Sequence, residues 1–285
     1  MKAKKICVFI GIFLSVLIVL SALVTFSQKG GLSLGERVAV VRVEGPLLEA
    51  KSVVDEIKGY VKDSSIRAIV LRVNSPGGGV VPSQEIYDEV RRAVAVKKVV
   101  VSMGAVAASG GYYISAPASR IIANPGTITG SIGVIMEVPN IRELMNKLGI
   151  QTEVIKSGKH KDIASVFRGI GKEEREILQR VMDDVHEQFI SAVAEGRKMP
   201  VEKVRPIADG RIFSGRQAVQ AGLVDELGDL DHAVKTASRM AGIRGEPEVV
   251  TKKEKSPILD LLSGRFPEGL SKIIPKLELK YIYMQ

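Results

Sequence analysis

Three β-branched runs, RVAVVRV at Arg37–Val43, IRAIVLRV at Ile66–Val73 and KKVVVS at Lys97–Ser102, are separated by stretches of a different period. The intervening SVVDEIKGYVKD (Ser52–Asp63) and PSQEIYDEVRRAVA (Pro82–Ala95) space their apolar residues as amphipathic helices do. The strand runs are apolar on both alternating faces. Their β-α-β-α-β order therefore predicts an α/β fold, a parallel sheet covered by helices. Further on, KEEREILQRVMDDVHEQFISAVAEGRKM (Lys172–Met199) predicts a long helix that stops before Pro200. No internal repeat or low-complexity tract interrupts this pattern.

A different constraint acts at the N-terminus. Residues Ile6–Phe26 form 21 positions without a charge, about what one helix needs to cross a roughly 30 Å hydrocarbon layer. Lys2, Lys4 and Lys5 precede the run, so the expectation is a single-pass anchor in the cell membrane, N-terminus cytoplasmic and main domain extracytoplasmic. A cleaved secretory signal fits less well, because the run is long and Phe26 sits where a small residue is wanted. The lone Cys7 excludes an intrachain disulfide. The net charge of +9 falls to +2 once the four lysines of residues 1–30 and the net +3 of residues 251–285 are set aside. Basic ends of that kind suit an anionic membrane surface, and with no aromatic-rich basic motif they do not suggest nucleic acid. The expected organisation is a basic stub (1–5), a transmembrane anchor (6–26), a linker (27–36), one enzyme-sized domain (37–250) and a basic, apolar tail (251–285).

In an open α/β sheet, chemistry collects in loops at the carboxyl ends of strands, and two such loops are unusual. The first, NSPGGGV (Asn74–Val80), has three glycines whose amides could face an oxyanion; it could equally be a tight strand-to-helix turn. Neither a Walker-type nor a dinucleotide-binding glycine pattern is present. The second, GAVAASGGYY (Gly104–Tyr113), surrounds Ser109 with small residues at a strand-to-helix junction. Ala107, Ala108, Gly110 and Gly111 leave room for a substrate backbone over the hydroxyl, with the Gly110 amide at the positive end of the helix dipole. Ser109 is thus either a nucleophile or a simple N-cap. A nucleophile needs a base, and the candidates stay open: His160, or one of Lys156, Lys159 and Lys161 in the same KSGKHKD loop, which follows the strand-like TEVI. His186 and His232 read as surface or packing residues. No metal-ligand cluster and no ATPase motif appears, so no cofactor is expected.

Four ordered motifs narrow this. VNSPGGG, GAVAASGGYYISAPASRIIANPGTITGSIGVI, SGKHKDI and GRIFSGRQAVQAGLVDELGDL together resemble the signal peptide peptidase A family, membrane-anchored serine peptidases of the ClpP/crotonase superfamily. The resemblance runs from about Arg37 to Ala241, and includes the anchor. It implies a ClpP/crotonase-like fold with ββα-type units and a Ser-Lys dyad: Ser109 as nucleophile, Lys161 as general base and Ser131 of TGSIG beside the lysine. It also implies an oxyanion hole from Gly110 and the PGGG loop, Gly78 before Gly77. Expected substrates are released signal peptides and other hydrophobic segments. Expected partners are membrane lipid and identical subunits, an octamer as in the family's short forms, with the lysine supplied by the same or a neighbouring copy. A stomatin-trimming membrane protease, a crotonase-like acyl-CoA enzyme and a non-catalytic scaffold are the alternative readings. The tail Ser256–Gln285 is expected to lie on the membrane, to occupy a hydrophobic substrate groove, or to be a frayed end.

Overall fold

The computed structural model describes residues 36–252 and 280–282. The apolar run 6–26, nearly all of the linker before Arg37 and most of the C-terminal tail lie outside the described residues. Among those described, no helix is long and apolar enough to cross a membrane.

The chain opens with β1 (Arg37–Glu44), α1 (Lys51–Lys62), β2 (Ile66–Ser75), the short β3 (Gly77–Gly79), α2 (Val80–Val96), β4 (Lys98–Ala108) and α3 (Gly110–Ser115). Strand β2 lies between β1 and β4, and all three are parallel. Next come β5 (Arg120–Ala123) and β6 (Ile128–Gly130), both parallel to β4 but on different stretches of it. Helices α4 (Arg142–Lys147), α5 (Lys172–Arg197) and α6 (Val201–Val204) lead to β7 (Ile212–Ser214), which runs antiparallel along β6. After α7 (Gly215–Gln220), β8 (Glu226–Leu227) pairs with β5; after α8 (Leu230–Met240), β9 (Glu248–Thr251) closes the far edge on β1. The sheet order is β7-β6-β4-β2-β1-β9, with β5 and β8 branching from β4. Strand β10 (Lys280–Ile282) stands apart, antiparallel to β3.

The two-sided apolar character of the strands has the expected consequence. Ala39, Val41 and Val43 of β1 join Ile69, Leu71 and Val101 in the larger core, which residues of α1, α2, α3 and α5 complete. The alternate residues Val38 and Val40 join Val70, Val100 and Ile122 under Ala233, Val234 and Ala237 of α8. A parallel sheet buried on both faces is the arrangement read from the strand runs.

Element ends moved by a few residues, and one expectation failed. The stretch Thr152–Ile155 is irregular and exposed instead of strand-like, with Ile155 96% accessible. A strand needs a neighbour for its amides, and β7 already covers β6. The long helix ends at Arg197 because Lys198 turns left-handed (φ 52°) and the Met199 amide closes back on the Ala194 carbonyl at 2.9 Å.

Leu71 is fully buried at the centre of β2. Leu71→Ala is expected to cost about 2–5 kcal/mol of unfolding free energy, read from the urea midpoint; an unchanged midpoint would mean this face is not the packed core.

Candidate active site

The parallel register aligns the carboxyl ends of three neighbouring strands. Ser75 of β2 stands opposite Ala107 of β4, and Ala108 stands opposite Gly130 of β6. The residues that follow these ends are therefore neighbours: the Gly77–Gly79 strand, Ser109 with Gly110, and Ser131.

Strand β4 reaches this point by bending. Its register with β2 slips between Val73 and Ser75, where it turns from β5 at Met103 to β6 at Val106. Asn74 guides the bend, accepting the Val106 amide at 3.2 Å. Position 104 must be glycine, because a Cβ there would stand 2.8 Å from Asn74 Oδ1. Thr127 and Thr129 then tie β6 down, donating to the carbonyls of Gly104 and Ala107 at 2.7 Å each.

Ser109 is 1% exposed and its amide donates to the Gly130 carbonyl at 2.8 Å. Its backbone sits at φ 54°, ψ −117°, a region that a residue with a side chain enters only under strain. It occupies the N-cap position of α3, yet its side chain caps nothing. Among the described residues its hydroxyl has no hydrogen-bond partner, so the simple-cap reading has no support. The two tyrosines after it explain how α3 is held. Tyr112 donates its hydroxyl to the Leu223 carbonyl at 2.9 Å, and Tyr113 lies between the rings of Tyr87 and Phe189 at 5.0 and 4.8 Å. Burial pushes the Tyr113 phenol up to about 12, so it stays a neutral packing group.

Ser131 is also left-handed (φ 50°) and 8% exposed. Its amide donates to the Arg211 carbonyl at 2.8 Å, and the Gly210 amide to the Ile132 carbonyl at 3.1 Å. The GRIFSG segment thus acts as a brace for the Ser131 turn, a role for which the motif alone gave no signal.

The glycine strand separates its three amides. The Gly77 amide donates to Ser75 Oγ at 3.1 Å and the Gly79 amide to the Leu47 carbonyl at 2.8 Å. Leu47 also binds the Gly77 carbonyl at 2.9 Å, so by strand alternation the Gly78 N–H and C=O face the opposite edge. Strand β10 runs along that edge, with Tyr281 opposite Gly78. Position 78 tolerates no side chain: a Cβ would lie 2.3 Å from the Leu47 carbonyl oxygen. Gly110, the first residue of α3, carries one of the first-turn amides that have no acceptor within their own helix.

The candidate bases divide clearly. Lys156 donates to Asp162 at 2.5 Å, while Lys159 pairs with Glu173. His160 Nε2 lies 3.3 Å from Glu173 and His232 Nε2 lies 2.9 Å from Glu226, so neither imidazole is engaged with Ser109. Lys161 is exposed, and its amine forms no hydrogen bond or ion pair with any described residue, Ser109 included. The structure brings Ser109, Gly110, Ser131 and the Gly77–Gly79 strand together, and leaves Lys161 on an outer loop.

Two family profiles match this chain: Peptidase family S49 over residues 91–244 and Clp protease over residues 38–128. The chain belongs to peptidase family S49. A Synechocystis sp. protein provisionally named a protease is 43% identical over 232 residues, 80% of this chain and 83% of its own length. Protease 4 of Salmonella typhi is 34% identical over 272 residues, 88% of this chain but 43% of its own. The chloroplastic serine protease SPPA of Arabidopsis thaliana is 32% identical over 236 residues, 79% of this chain and 35% of its own. The S49 chain thus spans less than half the length of these last two relatives. It is a peptidase of the signal peptide peptidase A family, within the ClpP-like superfamily, as the four ordered motifs imply. The acyl-CoA and scaffold readings are set aside.

The strain at Ser109 is directly measurable in this S49 peptidase. Glycine adopts its backbone freely whereas alanine does not, so Ser109→Gly is expected to be more stable than Ser109→Ala by about 1 kcal/mol. Urea unfolding of both variants checks this, and equal midpoints would mean the turn is unstrained.

Proposed function

We propose that this S49 peptidase cleaves extended, apolar peptides through a Ser109–Lys161 dyad while anchored to a membrane. The observation that carries the reading is Ser109 itself, a strained N-terminal helix residue whose hydroxyl caps nothing. In the reaction, the neutral Lys161 amine takes the Ser109 proton and the alkoxide attacks a peptide carbonyl. The amides of Gly110 and Gly78 hold the tetrahedral oxyanion, each such donor typically being worth about 2.7–4 kcal/mol; Gly77 is the weaker candidate because Ser75 already engages its amide. Ser131 orients the amine. The Lys161 ammonium protonates the leaving nitrogen, and water resolves the acyl-enzyme by the same route.

Two features support extended, apolar substrates. The outer edge of Gly77–Gly79 accepts an antiparallel strand, as its pairing with Lys280–Ile282 illustrates. A cavity of about 460 Å³ is lined by Val134, Met136, Leu178 and Met182 together with the polar Arg175 and Gln179, and Val134 follows Ser131 by three residues in the chain. Released signal peptides fit this description. The uncharged run 6–26 supports a single-pass anchor with the peptidase domain outside the cytoplasm. The exposure of Lys161 favours its delivery to Ser109 of an adjacent copy in a closed homo-oligomer, an octamer by resemblance to the short family forms.

Hydrolysis of a fluorogenic apolar peptide should rise with pH along a limb near or above neutrality, and Ser109→Ala and Lys161→Ala should each abolish it. Activity of Lys161→Ala together with loss in His160→Ala would overturn the base. Mixing the two inactive variants during assembly should restore part of the activity, and mixtures that stay dead would place both groups in one chain. A chain ending at Lys252 should show a lower KM with kcat unchanged, because the strand that competes for the glycine edge is gone; an unchanged KM would separate the tail from the substrate path.

A further inference from the structure

The loop that carries Lys161 is fixed through one side chain. Arg168 donates from Nε to Asp162 Oδ2 at 2.8 Å and from Nη2 to the Asp162 carbonyl at 3.2 Å. The same guanidinium grips Glu174, donating from Nη1 to Oε2 at 2.7 Å and from Nη2 to Oε1. Glu174 is 8% exposed and is itself pinned, accepting the Gly171 amide at 3.0 Å at the start of α5. Arg168 therefore joins the residue next to Lys161 to the first turn of a 26-residue helix.

The pairings also decide which charges Lys161 meets. The loop holds Lys156, Lys159, His160, Asp162 and Arg168, and the first turn of α5 holds Lys172, Glu173, Glu174 and Arg175. Of the acids, Glu173 is taken by Lys159 and His160, Glu174 by Arg168, and Asp162 by Arg168 on one oxygen and Lys156 on the other. No carboxylate in this set is left uncommitted. That matters because a free carboxylate next to an amine holds the proton on it, and a general base must release it.

We propose that Arg168 is a positioning residue for Lys161: seated on Glu174, it fixes the loop to α5 and holds the Asp162 carboxylate away from the neighbouring amine. The inference rests on Lys161 being the base. Hydrogen bonds from Arg168 are the main cause holding Asp162 below the ordinary carboxylate range and lowering Glu174 to about 2. Depressed carboxylates keep the clamp charged above their ordinary range and lose it only as pH falls toward those lowered values. Both acids are therefore ionised throughout the range in which peptide hydrolysis is followed, and movement of the activity limb near neutrality is not their titration.

The test follows kcat/KM against pH for the full-length protein on a fluorogenic apolar peptide, with Arg168→Ala, Arg168→Lys and the pair Arg168→Ala/Asp162→Asn. Arg168→Ala is expected to lose about 10²-fold in kcat/KM through misplacement of the base. It should also move the acid limb up by about one pH unit, because Asp162 Oδ2 is released toward the amine. Arg168→Lys keeps the charge without the fork and should fall between wild type and alanine. The double variant removes the freed carboxylate and should return the limb to its wild-type pH even where the rate stays low, a rescue that simple loosening of the loop would not give. A wild-type limb in Arg168→Ala, or a shifted limb that Asp162→Asn does not restore, overturns the proposal. Full activity in Lys161→Ala would instead overturn the dyad reading on which it rests.

Discussion

The site depends on one strand that changes partners. β4 begins against β5 and finishes against β6, and the hydrogen bond from the Ser109 amide to the Gly130 carbonyl at 2.8 Å is the last link of that second pairing. It sets Ser109 beside Ser131. The slip against β2 sets the same end beside Ser75 and the glycine strand. Without the bend at Gly104, made possible by the absence of a side chain against Asn74, the carboxyl ends of these strands would not meet in one place.

Two of the four non-glycine residues with positive φ among those described lie at the candidate site. Ser109 and Ser131 both hold positive φ angles, and Gly78 is pressed on the Leu47 backbone. Strain of this order, about 1–3 kcal/mol at a position, persists only where the surroundings over-determine it. Here they do so from two sides, through sheet faces buried against α1, α2, α3 and α5 on one and α8 on the other. The aromatic stack at Tyr113 and the Tyr112 hydroxyl fix the helix that starts at the strained serine.

Much of this was legible in the sequence, for identifiable reasons. The strand runs announce themselves because both of their faces are apolar, and the long helix because its period holds to Pro200. Ser109 stands out because a lone hydroxyl among glycines and alanines has few structural uses. Distinctions within a motif were not legible. The three glycines of PGGG look alike until Ser75 claims the Gly77 amide and the Leu47 carbonyl claims that of Gly79. The lysines of KSGKHKD look alike until Asp162 and Glu173 claim Lys156 and Lys159. Thr152–Ile155 looks like a strand because composition does not say whether a neighbour is there to pair with it. Arg168 and the Gly210–Arg211 turn carried no signal, since their roles consist of contacts with residues distant in the fold.

The central claim is that Ser109 is the reactive nucleophile, and covalent labelling tests it most directly. The full-length protein would be treated near neutral pH with an acylating serine reagent, and the modified residue mapped by mass spectrometry. The account predicts one adduct per chain, on Ser109, absent when the protein is unfolded before treatment. An adduct on Ser131 or elsewhere with Ser109 untouched in the folded protein would contradict it.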